Sequence, residues 1–262
     1  MDSKLIMQEL LRCLDQNRPV ALATVVSTSG STPSRAGSKM LIYEDGSIMG
    51  TVGGGCLEAA VIEEARQVIK KGEPRYTYYS LDQDEAAGLG MACGGEVTVF
   101  IDSFISGPEL VIVGAGHISQ YLARMAKMLD FYVTVIDDRE DFASVERFPE
   151  ADHLIAANIA EALEKLRISE NTYLAILTRG HKYDQIALEK VACSHAAYIG
   201  MVGSRNKIKT VLDNLKEKGL PSSDLDKVYA PIGLDLGGNT PAEIALSIAA
   251  EIVKNRYGGG RD

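Results

Sequence analysis

At 262 residues the chain is long enough to bury a full core, and its length suits one large domain or two. Hydrophobic residues at 46% and charged residues at 24% are those of an ordinary globular protein, and a net charge of -9 argues against DNA or RNA as a partner, because a phosphate backbone demands a basic face. No apolar run reaches the roughly 18 residues that span a bilayer, and the opening MDSKLIMQELLRCLDQN reads as an amphipathic helix rather than a signal peptide, so no membrane association and a cytoplasmic location are expected.

In chain order, a helix over residues 3–16 precedes the apolar run VALATVVS (20–27), which reads as a strand. KMLIY and SIMGTV follow as two strands joined by Glu44-Asp45-Gly46, whose Asp-Gly pair signals a hairpin. In CLEAAVIEEARQVIKKG the residues Leu57, Val61, Ala65, Val68 and Ile69 recur at helical spacing, and Gly72 is the expected stop. RYTYYSL and EVTVFID complete a first domain over 1–105, of α+β type with a mostly antiparallel sheet.

Ser106-Gly107-Pro108-Glu109 is the turn-like hinge. Beyond it ELVIVGAG, YVTVIDD, HLIAA, TYLAILT, AAYIGMVG and KVYAPIG are expected strands. Helical patterns such as QYLARMAKMLD and RNKIKTVLDNLKEKG lie between most of them. This alternation predicts a Rossmann-like, doubly wound parallel sheet over 108–262, which makes the whole chain α/β. Thr240-Pro241-Ala242-Glu243 marks the last helix with a capping box and a proline at its first position.

In the stretch LVIVGAGHIS, Gly114-Ala115-Gly116 sits between a predicted strand and a predicted helix, as a dinucleotide turn does, and Ser119 stands where the third glycine is usual. Asp137 closes the next strand 21 residues after Gly116, where a carboxylate meets ribose hydroxyls. That carboxylate favours NAD over NADP, although Arg139 lies close by. Either the turn binds a dinucleotide or it only helps the fold to close. His117 is either a donor to phosphate or a helix-start residue without chemistry.

The four cysteines, Cys13, Cys56, Cys93 and Cys193, form no CxxC pair and are expected to be free thiols. Gly53, Gly54 and Gly55 precede a predicted helix with Cys56 in its first turn, so their amides would form an anion-binding nest and the helix dipole would favour thiolate. A second glycine-flanked thiol stands at Cys93-Gly94-Gly95. These two motifs form a soft-ligand or sulfur-handling site, or else both thiols are buried as small hydrophobes. Glu58 is read as a carboxylate cap of the helix. The loop SGSTPSRAGSK carries Arg35 and is either a phosphate clamp or a solvated turn.

Taken together, GSTPSRAGSKM, GTVGGGCLE, MACGGEVTVF, VGAGHI, VIDDR, YIGMVGSR, PIGLDLG and TPAEIALSIAAEI resemble the XdhC/CoxI family, in order across nearly the whole chain. The resemblance implies an accessory protein of molybdenum hydroxylases such as xanthine dehydrogenase, without turnover of its own. Such a protein binds the molybdenum cofactor, protects it while a cysteine desulfurase adds its terminal sulfido ligand, and delivers it to the apo-enzyme. Carried over residue by residue, it points to Gly54, Gly55, Cys56, Glu58, Cys93, Gly94 and Gly95. In the second half it points to Gly114, Gly116, His117, Asp137, Gly203, Ser204, Arg205, Pro231, Gly233 and Asp235. Where the family reads Thr-His this chain has Thr178-Arg179, with His181 two places on, so Arg179 would supply charge to the cofactor phosphate. Cys56 and Cys93 are the expected molybdenum contacts, since soft sulfur suits that metal's surroundings. A homodimer is expected. The competing readings are an NAD-dependent oxidoreductase, with Cys56 or His117 assisting hydride transfer, and a redox or nucleotide sensor in which Cys56 and Cys93 form a reversible disulfide.

Overall fold

The computed structural model describes residues 3–80, 95–104 and 107–258, so Cys93 and Gly94 lie outside the described residues. The chain divides into two compact units, Met1–Ser106 and Gly107–Asp262.

The first unit runs α1 (Ser3–Asp15), β1 (Val20–Gly30), β2 (Lys39–Tyr43), β3 (Ile48–Gly50), α2 (Gly55–Lys71), β4 (Arg75–Ser80) and β5 (Gly95–Phe104). Its five strands pair antiparallel in the order β3-β2-β1-β5-β4. Side chains alternate along a strand, so the two faces of this sheet take different partners. Ala21, Ala23, Val25, Val97, Val99 and Ile101 pack with Leu57, Val61, Ala65, Val68 and Ile69 of α2. Val20 and Leu41 pack with Ile6, Leu10 and Cys13 of α1. The hairpin between β2 and β3 turns at Gly46, at φ 87°, with the Asp45 carboxylate accepting from the Ser47 amide at 2.8 Å. Gly72 ends α2 in the left-handed conformation and donates its amide to the Val68 carbonyl.

The second unit runs β6 (Glu109–Val113), α3 (His117–Met128), β7 (Tyr132–Asp137), β8 (His153–Ala156), α4 (Ile159–Lys165), β9 (Thr172–Ile176), α5 (His181–Val191), β10 (Tyr198–Met201), α6 (Arg205–Glu217), α7 (Ser222–Leu225) and α8 (Pro241–Arg256). The five strands are all parallel in the order β10-β9-β6-β7-β8. In chain order the middle strand is the first one, and the sequence of strands departs from it in both directions, as in a Rossmann sheet. Leu110 and Ile112 face α3 and α8, while Val111 and Val113 face α4, α5 and α6. Burial on both faces is why these strands read as unbroken apolar runs.

KVYAPIG, expected as a further strand, is not one. Tyr229 makes an isolated bridge to Gly200; Pro231, which has no amide, then breaks the ladder, and the Ile232 amide returns to the Met201 carbonyl at 3.0 Å. At the other end of the unit, Thr240 and Glu243 form the capping box of α8, with Pro241 behind the cap. No helix among the described residues is long and apolar enough to cross a membrane.

Candidate functional site

In the first unit three stretches far apart in sequence meet at one end of the antiparallel sheet. Gly30 at the end of β1 pairs with Gly95 at the start of β5. A side chain at Gly95 would strike the carbonyl oxygens of Ser31 and Ser29, at 2.5 and 2.7 Å. The loop that leaves β1 then packs on the glycine turn before α2. Ser34, buried, donates its hydroxyl to the Val52 carbonyl at 2.5 Å, and any side chain at Gly53 would collide with the Ser34 hydroxyl. Gly53, Gly54 and Gly55 all take positive φ, at 137°, 85° and 60°, which glycine alone adopts at low cost. Cys56 follows in the first turn of α2 and is half-buried.

The expected anion nest is only partly open. The Gly54 amide donates to Glu58 Oε1 at 3.0 Å and the Gly53 amide to Thr51 Oγ1 at 3.1 Å, so two of the three glycine amides serve the chain's own side chains. Gly54, the N-cap of α2, brings no side chain to cap the first amides of the helix, those of Gly55 and Cys56. Arg35 is exposed and makes no ion pair with a described residue. Glu58, read as a cap of its helix, accepts the amide of the N-cap residue Gly54 and also fastens the turn ahead of it. Cys13 lies buried in α1, and Cys193 sits exposed in the turn after α5.

In the second unit the glycine turn after β6 stands where the strand order departs in both directions. Gly114, at φ 106°, runs so close to the end of β9 that an added Cβ would lie 2.5 Å from the Leu177 carbonyl oxygen. Ser119, at the third-glycine position, is fully buried and donates its hydroxyl to the Gly114 carbonyl at 2.5 Å. Gly116 caps α3, and His117, the first residue of that helix, is exposed.

Asp137 is engaged by its own chain. Its carboxylate is buried, accepts the Ala115 amide at 2.8 Å, and takes the Arg139 guanidinium on both oxygens at 2.8 and 2.9 Å. Burial alone would raise this carboxyl; the Arg139 guanidinium and the Ala115 and Arg139 amides outweigh it and hold the group below the ordinary aspartate range. Arg147 donates to the Ala115 carbonyl at 3.2 Å, so the middle residue of the glycine turn is tied on both sides.

Arg179 is exposed but engaged: it pairs with Asp138 at 2.9 Å and donates to the Tyr183 hydroxyl at 2.9 Å. Gly203 and Ser204 lead into α6, whose cap is the Ser204 hydroxyl accepting from the Lys207 amide at 3.4 Å. Arg205 is exposed at the first helical position. Gly233 has a packing reason of its own. Its φ is 98°, its amide donates to Glu251 of α8 at 2.9 Å, and a side chain there would collide with Ser247. Asp235 is exposed and turns back on its own loop, accepting the Gly237 amide at 3.3 Å.

A buried polar cluster in this unit is not assembled by any one sequence motif, although Thr178 stands in one. Asp184 in α5 is fully buried, accepts the Thr178 hydroxyl at 2.6 Å, and is ion-paired with Lys207 of α6. It ties together the segments that leave β9 and β10. Its three members come from separate elements, so no spacing rule links them. Among the described residues no group of three or more His, Cys, Asp or Glu side chains is placed to hold a metal ion.

The model of the XdhC Rossmann domain matches residues 110–252, and that of the XdhC and CoxI family matches residues 13–80. The chain is similar to the uncharacterized protein YqeB of Escherichia coli (strain K12), with 37% identity over 97% of this chain but 47% of the relative's length, so it spans about half of that protein. With a protein of Bacillus subtilis (strain 168) described as a probable subunit of xanthine dehydrogenase it shares 24% identity, over 93% of this chain and 95% of that one. To the molybdenum cofactor insertion chaperone PaoD of Escherichia coli (strain K12) it is 21% identical, over 97% and 89% of the two lengths. A crystal structure of a xanthine dehydrogenase from Bacillus halodurans shares the fold, with a TM-score of 0.53, 24% identity, and coverage of 97% and 96%.

Proposed function

This chain belongs to the XdhC/CoxI family, and from that premise we propose that it is an accessory protein in the maturation of xanthine dehydrogenase or a related molybdenum hydroxylase. The names of two relatives, one a probable part of xanthine dehydrogenase and the other a molybdenum cofactor insertion chaperone, support this role. The molybdenum cofactor is the cargo rather than a resident group. In the finer reading the chain protects the cofactor, supports its sulfuration by a cysteine desulfurase, and delivers it to the apo-hydroxylase.

One observation carries the proposal: loop 31–35, turn 53–56 and the start of β5 meet at one end of the first unit. The cargo brings a dithiolene-bound metal and a phosphate. Soft sulfur suits the first, and amides and a guanidinium suit the second. The residues present fit those demands. Cys56 supplies the thiol, Arg35 an exposed guanidinium, and Gly55 and Cys56 uncapped amides. Cys93 and Gly94 lie outside the described residues, and the substitution Cys93→Ala below tests their part in binding. Gly53 and Gly54 shape the turn instead of binding, because their amides are taken.

A nucleotide site in the second unit is a further reading, favoured by the strand order and by the turn at Gly114 and Gly116. With Asp137 and Arg139 closed on each other, NAD would not find its usual ribose carboxylate there. His117, Arg205 and the 203–204 loop would then supply the contacts.

The deciding experiment is anaerobic. Purified protein is mixed with released molybdenum cofactor and gel-filtered, and bound molybdenum and pterin are assayed for wild type, Cys56→Ala and Cys93→Ala. Near-stoichiometric binding that the substitutions weaken is the expected result. Wild type that elutes empty while binding NAD tightly refutes the proposal. Native mass spectrometry of mixtures with the desulfurase and the hydroxylase tests the partners, and the mass of the chain alone tests the homodimer.

A further inference from the structure

Glu58 is the fourth residue of α2, yet its carboxylate turns back out of the helix. One oxygen, Oε1, accepts three donors from the preceding turn: the Thr51 hydroxyl at 2.5 Å, the Gly54 amide at 3.0 Å and the Val52 amide at 3.2 Å. None of the three lies inside the helix. The Thr51 hydroxyl in turn accepts the Gly53 amide at 3.1 Å, which extends the anchor by one more residue. From the other side Ser34 holds the Val52 carbonyl, so Val52 is fixed at both its amide and its oxygen.

Three donors converge on one acceptor oxygen, so removing the side chain releases all three at once. The need for an anchor is plain, because three successive glycines have no side chains to brace them and lose the most backbone entropy on ordering. Cys56 follows these glycines directly, so wherever the turn goes the thiol goes.

We infer that Glu58 is a positioning residue, an internal anion that locks turn 51–55 and so presents the Cys56 thiol and the uncapped Gly55 and Cys56 amides to the cargo in one arrangement. The inference rests on the cargo-binding reading above for its purpose, but its geometry is independent of it. It also predicts that the cargo phosphate is not held by the Gly53 and Gly54 amides, which Thr51 and Glu58 already occupy.

The test reads the thiol first, without cargo. Full-length wild type, Glu58→Ala, Glu58→Gln and Thr51→Val are treated with iodoacetamide, and the rate at each cysteine is followed by peptide mass spectrometry. In Glu58→Ala the rate at Cys56 should change by about threefold or more, with Glu58→Gln falling between it and wild type and the rate at Cys193 unmoved. The Kd for the molybdenum cofactor should weaken by about tenfold in Glu58→Ala and by less in Glu58→Gln. A folded Glu58→Ala with wild-type alkylation at Cys56 and wild-type Kd overturns the inference. Should Glu58→Ala fail to fold, Thr51→Val, which at an exposed position removes one donor to Glu58 together with the acceptor of the Gly53 amide, carries the same comparison at smaller amplitude. A wild type that binds no cofactor, together with altered Cys56 alkylation in Glu58→Ala, supports the positioning role and refutes the cargo-binding reading.

Discussion

Replacing Gly114 by alanine tests how the second unit closes its sheet. A Cβ at this position would lie 2.5 Å from the Leu177 carbonyl oxygen, 2.8 Å from its carbon and 2.9 Å from Thr178 Cα. All three are backbone atoms at the end of β9, which cannot swing aside as a flexible side chain would. The φ of 106° adds its own penalty, about 1–2 kcal/mol for a residue with a side chain. Easing β6 away from β9 costs about 1–3 kcal/mol more, as overpacking does. A loss near 3 kcal/mol corresponds to a fall of about 10 °C in melting temperature for a unit of this size. Gly116 is the control within the same motif. Its φ is -76°, and an added Cβ would meet nothing within 4 Å, so Gly116→Ala should melt within about 2 °C of wild type. Differential scanning calorimetry on the full chain makes the comparison. Equal melting of the two variants would refute the close approach of β6 and β9 at this turn. Gly116→Ala has a second use, because its methyl group would occupy the face of the turn that a pyrophosphate approaches.

Asp184→Asn should lower stability by about 3 kcal/mol, because it leaves the mostly buried Lys207 ammonium without its counter-charge; the urea midpoint reads this, and adding Lys207→Met should recover part of it. Ser34→Ala removes the donor from the Val52 carbonyl and should cost about 1–3 kcal/mol in the first unit, measured by chemical denaturation. Glu9 provides a pH signature, since the Arg12 guanidinium and then the Tyr43 hydroxyl hold its carboxyl down at about 2, against an ordinary value of 4.5. A depressed acid stabilises the fold above its unfolded pKa and loses that contribution as pH falls through the folded one. The melting-temperature gap between wild type and Glu9→Gln should therefore be constant above about pH 5 and close as pH approaches 2. A gap that persists at pH 2 contradicts the pairing.

Much of the architecture is local and was therefore readable from residue order. The apolar spacing of α2 and its Gly72 stop, the Asp45-Gly46 hairpin, and the Thr240 to Glu243 box each depend on residues within a turn or two of one another. The parallel sheet was legible for a related reason: strands buried on both faces are written as continuous apolar runs between helical patterns. KVYAPIG misled because its apolar residues imitate such a run, while the partner that decides the matter, Gly200, offers Tyr229 only a single bridge.

Residue order was enough to set out the elements, their succession and the residue types assembled for chemistry: glycines at the turns, a thiol at the entry of α2, cations in the loops. Which of those groups remain available is a matter of three-dimensional neighbours. Glu58 and Thr51 take up the Gly54 and Gly53 amides, Arg139 and Ala115 claim Asp137, Asp138 engages Arg179, and Asp184 is engaged by residues from two other segments. A hydrogen bond or ion pair is settled at about 3 Å in space, where chain neighbours and distant segments compete on equal terms. Residue type states what a side chain is able to do, and folding selects the partner with which it does it.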